Sequence, residues 1–406
     1  MQPHQVEQSS VPGEDEQHED LWARIRDNLS WQVHDNAQVN KAREHILQQS
    51  TYLPVVADRA SFYLYYIVEE VQQRDMPMEI ALIPMVESML DPFAANPSGA
   101  VGLWQIMPAT GAHLGLERNA WYDGRRAVRD STRVALDYLE TLYTEFDEDW
   151  MLAFAAYNSG GGRVARARSA NEEKGLNTDY WSLDLPRQTR NYVPKLIALA
   201  QIVSDPEQFD VEIPSVENAP AFEVANTGGL LDMFRAAELA GVKIDTLRAL
   251  NPGQLRGTIS PNRPAELLLP VGTRNRFEEE VTQLDPQELS QWRYYKIKPG
   301  DSLSEIAQKF TTEVSLLREI NGMRGNLIRA GDTLKVPSGP RGDLTTLLAS
   351  NEGASTRGYR VRSGDSLYRI ANKFNISIGD IVAWNSLDPG AYLQPGQTLT
   401  LYISDG

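Results

Sequence analysis

Cysteine is absent from this sequence, and histidine occurs only five times among the 406 residues. The absence of cysteine excludes disulfide bonds and cysteine-ligated metal sites, and it suits an oxidising compartment. The histidines show no metal-ligand spacing, so we expect surface histidines, no metal and no other cofactor. They are His4, His18, His34, His45 and His113.

Long apolar runs are also absent, since no segment approaches the ~20 apolar residues of a membrane-spanning helix. The opening residues, MQPHQVEQSSVPGEDEQHED, are polar and acidic. They have neither the basic start nor the apolar stretch of a signal peptide. We therefore expect no signal peptide in the sequence as it stands, and a disordered acidic arm at residues 1–20.

Positive charge is scarce, because 39 Lys and Arg residues face 55 Asp and Glu residues, for a net charge of −16. A nucleic-acid-binding protein needs a basic face, so we expect no nucleic-acid partner. The imbalance is uneven, since residues 291–406 hold 14 basic and 11 acidic side chains and are net positive.

An internal repeat lies near the C-terminus. Nine of the sixteen residues in 295–310 recur in 359–374. Each copy reads as an alternating strand, a Gly-Asp turn, two helices and a closing strand. We therefore predict two βααβ modules at 292–338 and 358–404, joined by a flexible Gly/Ser/Thr-rich linker at 339–357.

Two details of the repeat predict local structure. Ser302 followed by Glu305 predicts a helix-capping box in the first copy, whereas Arg369 replaces the glutamate in the second. Asn321 and Asn385 occupy matching positions before the closing strands.

A third, weaker relative of the repeat lies at 221–275. It keeps the order strand, helix, helix, asparagine and strand, but it lacks the Gly-Asp-Ser turn. We interpret it as a degenerate module or a spacer, followed by a linker at 276–291.

The upstream residues 21–206 carry apolar residues at helical spacing and are punctuated by proline and glycine. They predict a mainly α domain that is followed by an interdomain linker at 207–220. The predicted fold class is therefore multidomain, with a mainly α domain followed by small α+β modules.

Glu87 is the first candidate catalytic residue. It lies in ALIPMVESML, where its neighbours are apolar. Burial among such neighbours raises the pKa of a carboxyl, as a general acid at neutral pH requires. The alternative is that Glu87 belongs to the polar face of an amphipathic helix.

Three more segments combine aromatic, polar and glycine residues. SGAVGLWQIMPATG, at 98–111, holds Trp104, Gln105 and Met107, which are side chains suited to lining a sugar-binding groove. AAYNSGGGRV has three glycines after a helix, which indicate backbone close to a ligand. PRQTRNYVPKLIALA places Tyr192 near the start of another helix.

Together these segments resemble the lytic transglycosylase domain related to soluble lytic transglycosylase and goose-type lysozyme. The family's motifs match Glu87-Ser88, Gly102–Gln105, Ala156–Gly160 and Tyr192, although Trp104 replaces a methionine and Gln188 stands where relatives often carry glutamate. The repeats resemble LysM modules, which bind glycans containing N-acetylglucosamine. The order of modules resembles membrane-bound lytic transglycosylases.

The resemblance implies a lysozyme-like fold and peptidoglycan as the partner. It implies that Glu87 acts as acid and then base on the bond between N-acetylmuramic acid and N-acetylglucosamine, which yields 1,6-anhydromuramoyl ends. Ser88 and Tyr192 would support Glu87. Gln105, Met107, Tyr157 and Asn158 would line the saccharide groove.

In the LysM modules, the resemblance implies glycan contacts at two turns. These turns comprise Gly300, Asp301, Ser302, Leu303, Gly364, Asp365, Ser366 and Leu367. It also implies a periplasmic, cell-wall-associated enzyme, with outer-membrane attachment through a lipid-bearing cysteine that this sequence lacks.

Two other functions remain open from the sequence. A lysozyme-type hydrolase would need a second carboxylate. Asp91 is available, but it precedes Pro92 and reads better as the residue that ends a helix. A non-catalytic LysM scaffold would not need the four motifs to be intact.

Overall fold

The computed structural model describes most of the chain between residues 18 and 337 and part of the second repeat. The described residues are 18–31, 35–119, 122–227, 231, 233–255, 266–284, 292–310, 314, 317–318, 321–323, 325–337, 354–362, 370, 374, 381, 385 and 396–404. The chain divides into two compact units, formed by residues 1–91 with 132–221 and by residues 92–131 with 222–406. No described helix is long and apolar enough to cross a membrane.

Several predictions fall outside the described residues. They concern the acidic arm up to residue 17, most of the 339–357 linker, and Arg369. His4 and His34 also lie outside the described residues. Of the remaining histidines, His45 and His113 are exposed, whereas His18 is half-buried with its Nε2 3.1 Å from Asp27 Oδ2.

Nine α-helices are described between residues 21 and 204, with short 3-10 helices at Met78–Leu82 and Tyr180–Ser182. In chain order the α-helices are α1 (Leu21–Asn28), α2 (Ala37–Leu47), α3 (Tyr52–Gln72), α4 (Ile83–Ser88), α5 (Pro108–His113), α6 (Val128–Glu145), α7 (Trp150–Ser159), α8 (Gly161–Glu172) and α9 (Arg187–Ser204).

Helix α9 packs against α1, α2, α4 and α7 of the first unit. Most residues after Tyr192 are apolar and buried, which is the pattern of a buried helix. Burial of α9 therefore brings side chains from its N-terminal half into the centre of the unit.

Glu79 fixes the segment that leads into α4. The residue is 1% exposed, and its carboxylate accepts hydrogen bonds from the backbone N–H groups of Ser30 (2.8 Å) and Trp31 (2.6 Å). A buried charge is tolerated when hydrogen bonds satisfy it. The chain after α1 is thereby tied to the turn before α4.

The linker predicted at 207–220 packs on the helical domain. Val216 is buried, and its carbonyl accepts a hydrogen bond of 2.8 Å from the Leu21 N–H. The Trp22 indole N–H donates to the Pro214 carbonyl at 3.0 Å. These contacts with α1 make the segment predicted as an interdomain linker part of the first unit.

Residues 92–131 group with the C-terminal modules, although the sequence placed them in the helical domain. The reason is tertiary: the Asp123 N–H donates to the Gly253 carbonyl at 2.9 Å. Periodicity within the segment carries no information about such a distant contact.

The module after the helical domain has an antiparallel pair, β1 (Phe222–Asn226) with β2 (Glu266–Pro270). Between and after these strands lie α10 (Met233–Ala240), α11 (Ile244–Leu250) and α12 (Arg274–Thr282). Phe277 and Val281 of α12 belong to the buried core of this module. The first part of the predicted 276–291 linker is therefore a helix that completes the module.

The two LysM-like repeats each contain an antiparallel strand pair. In the first, β3 (Trp292–Lys296) pairs with β4 (Thr333–Pro337) beside α13 (Leu303–Lys309). In the second, β5 (Ala354–Arg360) pairs with β6 (Thr398–Ser404), and β5 begins inside the predicted 339–357 linker. The predicted fold class, a helical domain followed by small α+β modules, is confirmed.

One asparagine makes the same three hydrogen bonds in each module. The Asn321 amide donates to the Leu317 and Lys335 carbonyls at 2.8 and 2.9 Å and accepts from the Lys335 N–H at 2.8 Å. Asn251 and Asn385 repeat this pattern. In each module a single side chain therefore joins the residue four positions before it to the closing strand.

Candidate active site

Glu87 lies in the last turn of the short helix α4. The helix ends because Met89 and Leu90 adopt left-handed conformations, with φ of 54° and 57°. Two consecutive non-glycine residues in this region cost about 1–2 kcal/mol each, so the surroundings must hold them in place.

The carbonyl groups at the end of α4 are held by side chains from other helices. The Tyr52 hydroxyl of α3 donates to the Met85 carbonyl at 2.9 Å, and the Lys195 ammonium of α9 donates to the Val86 carbonyl at 3.1 Å. Arg59 of α3 donates to the Met89 carbonyl at 3.0 Å. The Met85 carbonyl also accepts from the Met89 N–H at 3.1 Å. Together these bonds fix the backbone that carries Glu87.

Burial raises the pKa of the Glu87 carboxyl from 4.5 to about 7. The Tyr192 hydroxyl and the positive charge of Lys195 act in the opposite direction and lower this pKa. The residue as a whole is half-buried. At pH 7 about half of the Glu87 side chains are therefore protonated. A carboxyl with this pKa can both donate and accept a proton near neutral pH.

Two tyrosines share the surroundings of Glu87. Burial and the neighbouring Glu87 carboxylate raise the pKa of Tyr157 and of Tyr192 well above 10, so both phenols stay protonated. The Tyr192 hydroxyl is buried beside Glu87, yet no described group completes a hydrogen bond of good geometry with it. It therefore has hydrogen-bonding capacity left for Glu87 or a substrate.

Ser88 and Asn158 occupy different positions. The Ser88 hydroxyl donates to the Pro84 carbonyl at 3.1 Å and so helps to close α4. Asn158 is half-buried at the end of α7, and among the described residues its side chain makes no hydrogen bond. Asn158 is thus available to a ligand, whereas Ser88 supports the Glu87 backbone.

The three glycines after Asn158 have a local role. Gly160 has φ of 89° where α7 ends, and open space surrounds the position of a Cβ atom. This positive φ is by itself a reason for glycine at the position, because other residues rarely adopt it. Gly161 and Gly162 begin α8.

The 98–111 segment lies in the second unit, and its three candidate side chains differ. Trp104 is fully buried, so the expectation that it lines a groove is wrong. The Gln105 amide donates to the Gly102 carbonyl at 2.9 Å within its own loop. Met107 is 39% exposed and presents an apolar surface to solvent.

Comparison with known proteins identifies the family. The family model of the transglycosylase SLT domain matches residues 65–179, and that of the lytic transglycosylase MltD, LysM-like domain, matches 226–286. The LysM domain model matches 295–337 and 359–401. The membrane-bound lytic murein transglycosylase D of Escherichia coli (strain K12) is 36% identical over 397 residues, which cover 95% of this chain and 86% of that protein.

The chain belongs to the membrane-bound lytic murein transglycosylase D family. It is therefore a lytic transglycosylase, as its motifs predicted. The crystal structure of the 70 kDa soluble lytic transglycosylase of Escherichia coli aligns with a TM-score of 0.30 and 20% identity, covering 46% of this chain and 33% of that one. That likeness is too low to add to the assignment.

In this transglycosylase Asp91 is engaged elsewhere. Its Oδ2 accepts a hydrogen bond of 3.0 Å from Arg59, which also holds the Met89 carbonyl. Asp91 therefore stabilises the turn after α4, in keeping with the interpretation that it ends a helix.

The first LysM turn is built mostly by its own side chains. Asp301 accepts from the Lys298 N–H at 2.7 Å and from the Tyr295 hydroxyl at 2.8 Å, and these bonds lower its pKa. Ser302 and Glu305 form the predicted capping box, with bonds of 2.9 and 3.2 Å.

Leu303 is 3% exposed and packs in the module core, so its side chain does not line a glycan surface. Gly300 has φ of 92° and leaves open space beside it. The corresponding Gly364, Asp365, Ser366 and Leu367 lie outside the described residues.

Sequence reasoning missed Lys195, Tyr52 and Arg59. Lys195 follows Tyr192 by three positions, a spacing that places both on one face of a helix, and this signal was available. Tyr52 and Arg59 reach α4 from another helix, and no local pattern announces that contact.

Proposed function

We propose that this transglycosylase cleaves the β-1,4 bond between N-acetylmuramic acid and N-acetylglucosamine, with Glu87 as both acid and base. The observation that supports this is that burial raises the pKa of Glu87 to about 7. Asp91, a carboxylate close to Glu87 in the sequence, is paired with Arg59. A single carboxyl group that exchanges its proton near neutral pH can first donate a proton and then accept one.

In the first step Glu87 donates its proton to the glycosidic oxygen, and the bond between that oxygen and C1 of the muramoyl residue breaks. The substrate's acetamido oxygen stabilises C1. In the second step the Glu87 carboxylate takes the proton of the muramoyl 6-hydroxyl, whose oxygen bonds to C1. The products are a 1,6-anhydromuramoyl end and a free 4-hydroxyl, and no water is consumed. An intramolecular hydroxyl held at attack distance outcompetes bulk water.

The charge formed on Glu87 between the two steps needs stabilisation. Lys195 and the Tyr192 hydroxyl supply it, because both favour the ionised carboxyl. Lys195 also holds the Val86 carbonyl, so the same side chain fixes the backbone and stabilises the charge. Ser88 supports the turn, since its hydroxyl donates to the Pro84 carbonyl.

We assign saccharide contact to four further side chains. Asn158 and Tyr157 lie at the end of α7, and Gln105 and Met107 lie in the 98–111 segment. The unengaged amide of Asn158 and the exposed thioether of Met107 support this assignment. Amide groups match sugar hydroxyls, and apolar side chains match the faces of the rings.

The LysM modules tether the enzyme to its polymeric substrate. In the first module we assign glycan contact to the backbone of the Gly300–Leu303 turn, since the side chains of Asp301, Ser302 and Leu303 serve the module itself. We assign the same role to Gly364–Leu367 of the second. Tethering raises the local concentration of glycan around the catalytic domain.

We further place the enzyme in the periplasm, on the cell wall and beside the outer membrane. The Escherichia coli relative, named a membrane-bound enzyme, supports this location. Fractionation of cells producing the native gene product tests the location: recovery in the cytoplasmic fraction contradicts it.

The decisive experiment is digestion of purified sacculi followed by mass spectrometry. Wild type should release 1,6-anhydromuramoyl products, and Glu87→Gln should release none. Reducing-end products would instead identify a hydrolase, and unchanged clearance by Glu87→Gln would remove Glu87 from catalysis.

Asp91→Asn is the matched carboxylate control. It should lower stability, because Arg59 loses its partner, while retaining the same products. Loss of products with a folded Asp91→Asn enzyme would contradict the single-carboxylate mechanism.

A further inference from the structure

The module that spans residues 226–286, here called the central module, is docked on the 122–129 segment of the second unit. The Asp123 N–H donates to the Gly253 carbonyl at 2.9 Å, and Tyr122 forms an antiparallel bridge with Gln254. At the exposed edge of this contact an Arg129 guanidinium lies 3.3 Å from the Glu266 carboxylate.

The contact is closely packed at Gly253. A Cβ atom on this residue would lie 2.9 Å from the Ala127 methyl group and 2.9 Å from the Tyr122 ring. Real Cβ atoms do not approach neighbours so closely, so only glycine allows the two surfaces to meet at this distance.

A buried ion pair leads from this contact towards the 94–107 loop of the same unit. The Asp123 carboxylate accepts two hydrogen bonds from the Arg125 guanidinium, at 2.9 and 2.7 Å. The two residues are 4% exposed. A bidentate pair of this kind has a fixed geometry, and leaving one member unpaired is costly.

The remaining guanidinium nitrogen of Arg125 holds the loop at 94–107. It donates to the Gly99 carbonyl at 2.9 Å and to the Ile106 carbonyl at 3.2 Å. The loop includes Gln105, whose φ of 48° is a left-handed conformation that surrounding contacts must maintain. Arg125 therefore connects the docked module with the backbone on either side of Gln105.

We propose that the central module positions the 94–107 loop for catalysis, acting through Asp123 and Arg125. The module thus contributes to the catalytic domain and does not bind glycan itself, in keeping with its missing Gly-Asp-Ser turn. The inference rests on the proposed function in one respect, namely that Gln105 and Met107 contact the glycan. Asp123 and Arg125 are positioning residues, because they act through the loop.

The test uses full-length Gly253→Ala, with Gly325→Ala as its matched control. Gly325 lies in the first LysM module, and a Cβ atom there would meet nothing within 4 Å. We expect Gly253→Ala to speed hydrogen exchange of the 94–107 amides and to raise KM for a soluble glycan fragment about tenfold. Sacculus binding should not change, and Gly325→Ala should match wild type throughout.

Arg129→Glu is a second variant that leaves the packed centre intact. Its charge opposes Glu266 at the exposed edge, so a smaller change in the same direction is expected. This variant keeps the test valid if Gly253→Ala does not fold.

Gln105→Ala separates failure of the inference from failure of the proposed function. If Gln105→Ala raises KM while both docking variants leave exchange and KM unchanged, the central module has no positioning role. If the docking variants speed exchange but neither they nor Gln105→Ala change KM, the loop does not contact glycan. In that case the catalytic part of the inference is also overturned.

Discussion

Replacing Lys195 by methionine should move the pH dependence of cleavage to higher pH. The positive charge of Lys195 lowers the pKa of Glu87, and its ammonium group donates to the Val86 carbonyl at 3.1 Å. The other titratable groups that act on Glu87 are Tyr157 on α7 and Tyr192 on α9, and both stay protonated. Lys195 is thus the charged residue whose removal should shift the titration of Glu87.

The expected size follows from the pKa of about 7. Loss of a nearby opposite charge raises a carboxyl pKa by about 1 unit or more. At pH 8 the protonated fraction of Glu87 then rises from about one tenth to about one half. The ratio of kcat/KM at pH 8 to that at pH 6 should therefore rise about fivefold.

The assay measures kcat/KM between pH 5 and 9 from anhydro products of a soluble glycan fragment, separated by chromatography. The ratio between two pH values is independent of any fall in maximal rate caused by losing the bond to Val86. Lys195→Arg keeps the charge and should keep the wild-type ratio. Lys174→Met, at an exposed lysine of the same unit, is the control for the substitution itself.

An alkaline limb that stays at the wild-type pH in folded Lys195→Met would refute this reasoning. It would mean that the charge of Lys195 does not reach the Glu87 carboxyl during catalysis. Lys195 would then be left with the backbone contact alone.

Other variants test neighbouring parts of the structure. Glu87→Gln should raise the melting temperature at pH 8 but not at pH 4. The unfolded chain ionises Glu87 before the folded one does, so wild type loses about 3 kcal/mol of stability as pH rises from about 4.5 to 7. Calorimetry at both pH values checks this, and equal shifts would contradict it. Tyr192→Phe should raise the pKa of Glu87 and lower kcat, because the Tyr192 hydroxyl favours the ionised carboxyl. The pH profiles described above measure both effects. An unchanged alkaline limb with an unchanged kcat would exclude a role for the Tyr192 hydroxyl. Asn321→Ala should destabilise the first LysM module by about 2–3 kcal/mol, since three hydrogen bonds are lost. Asn326→Ala, at an exposed asparagine of the same module, should leave its stability unchanged. Calorimetry of the two variants checks this difference.

The sequence was sufficient to predict features that depend on local pattern. The capping box of Ser302 and Glu305 depends on spacing within one module, and it forms as predicted. The position of Asn321 also depends on that spacing, and its hydrogen bonds recur in each copy. The apolar neighbours of Glu87 likewise predicted the direction of its pKa shift.

Features that depend on distant contacts were not predictable in this way. Trp104 is a core residue, but an aromatic residue in a glycine-rich loop has the same local sequence whether it faces sugar or the interior. The assignment of α12 to a linker failed because Phe277 and Val281 find their core in strands and helices earlier in the chain. Arg59 reaches Met89 across 30 positions, a contact that no periodicity reveals.

The contacts at the end of α4 have a consequence for protein engineering. The backbone that presents Glu87 is held by Tyr52, Arg59 and Lys195, which all belong to helices α3 and α9 of the first unit. The 94–107 loop belongs to the second unit and depends on a different arginine. Changes to the loop therefore leave in place the side chains that fix the backbone at Glu87, so the two segments can be engineered one at a time.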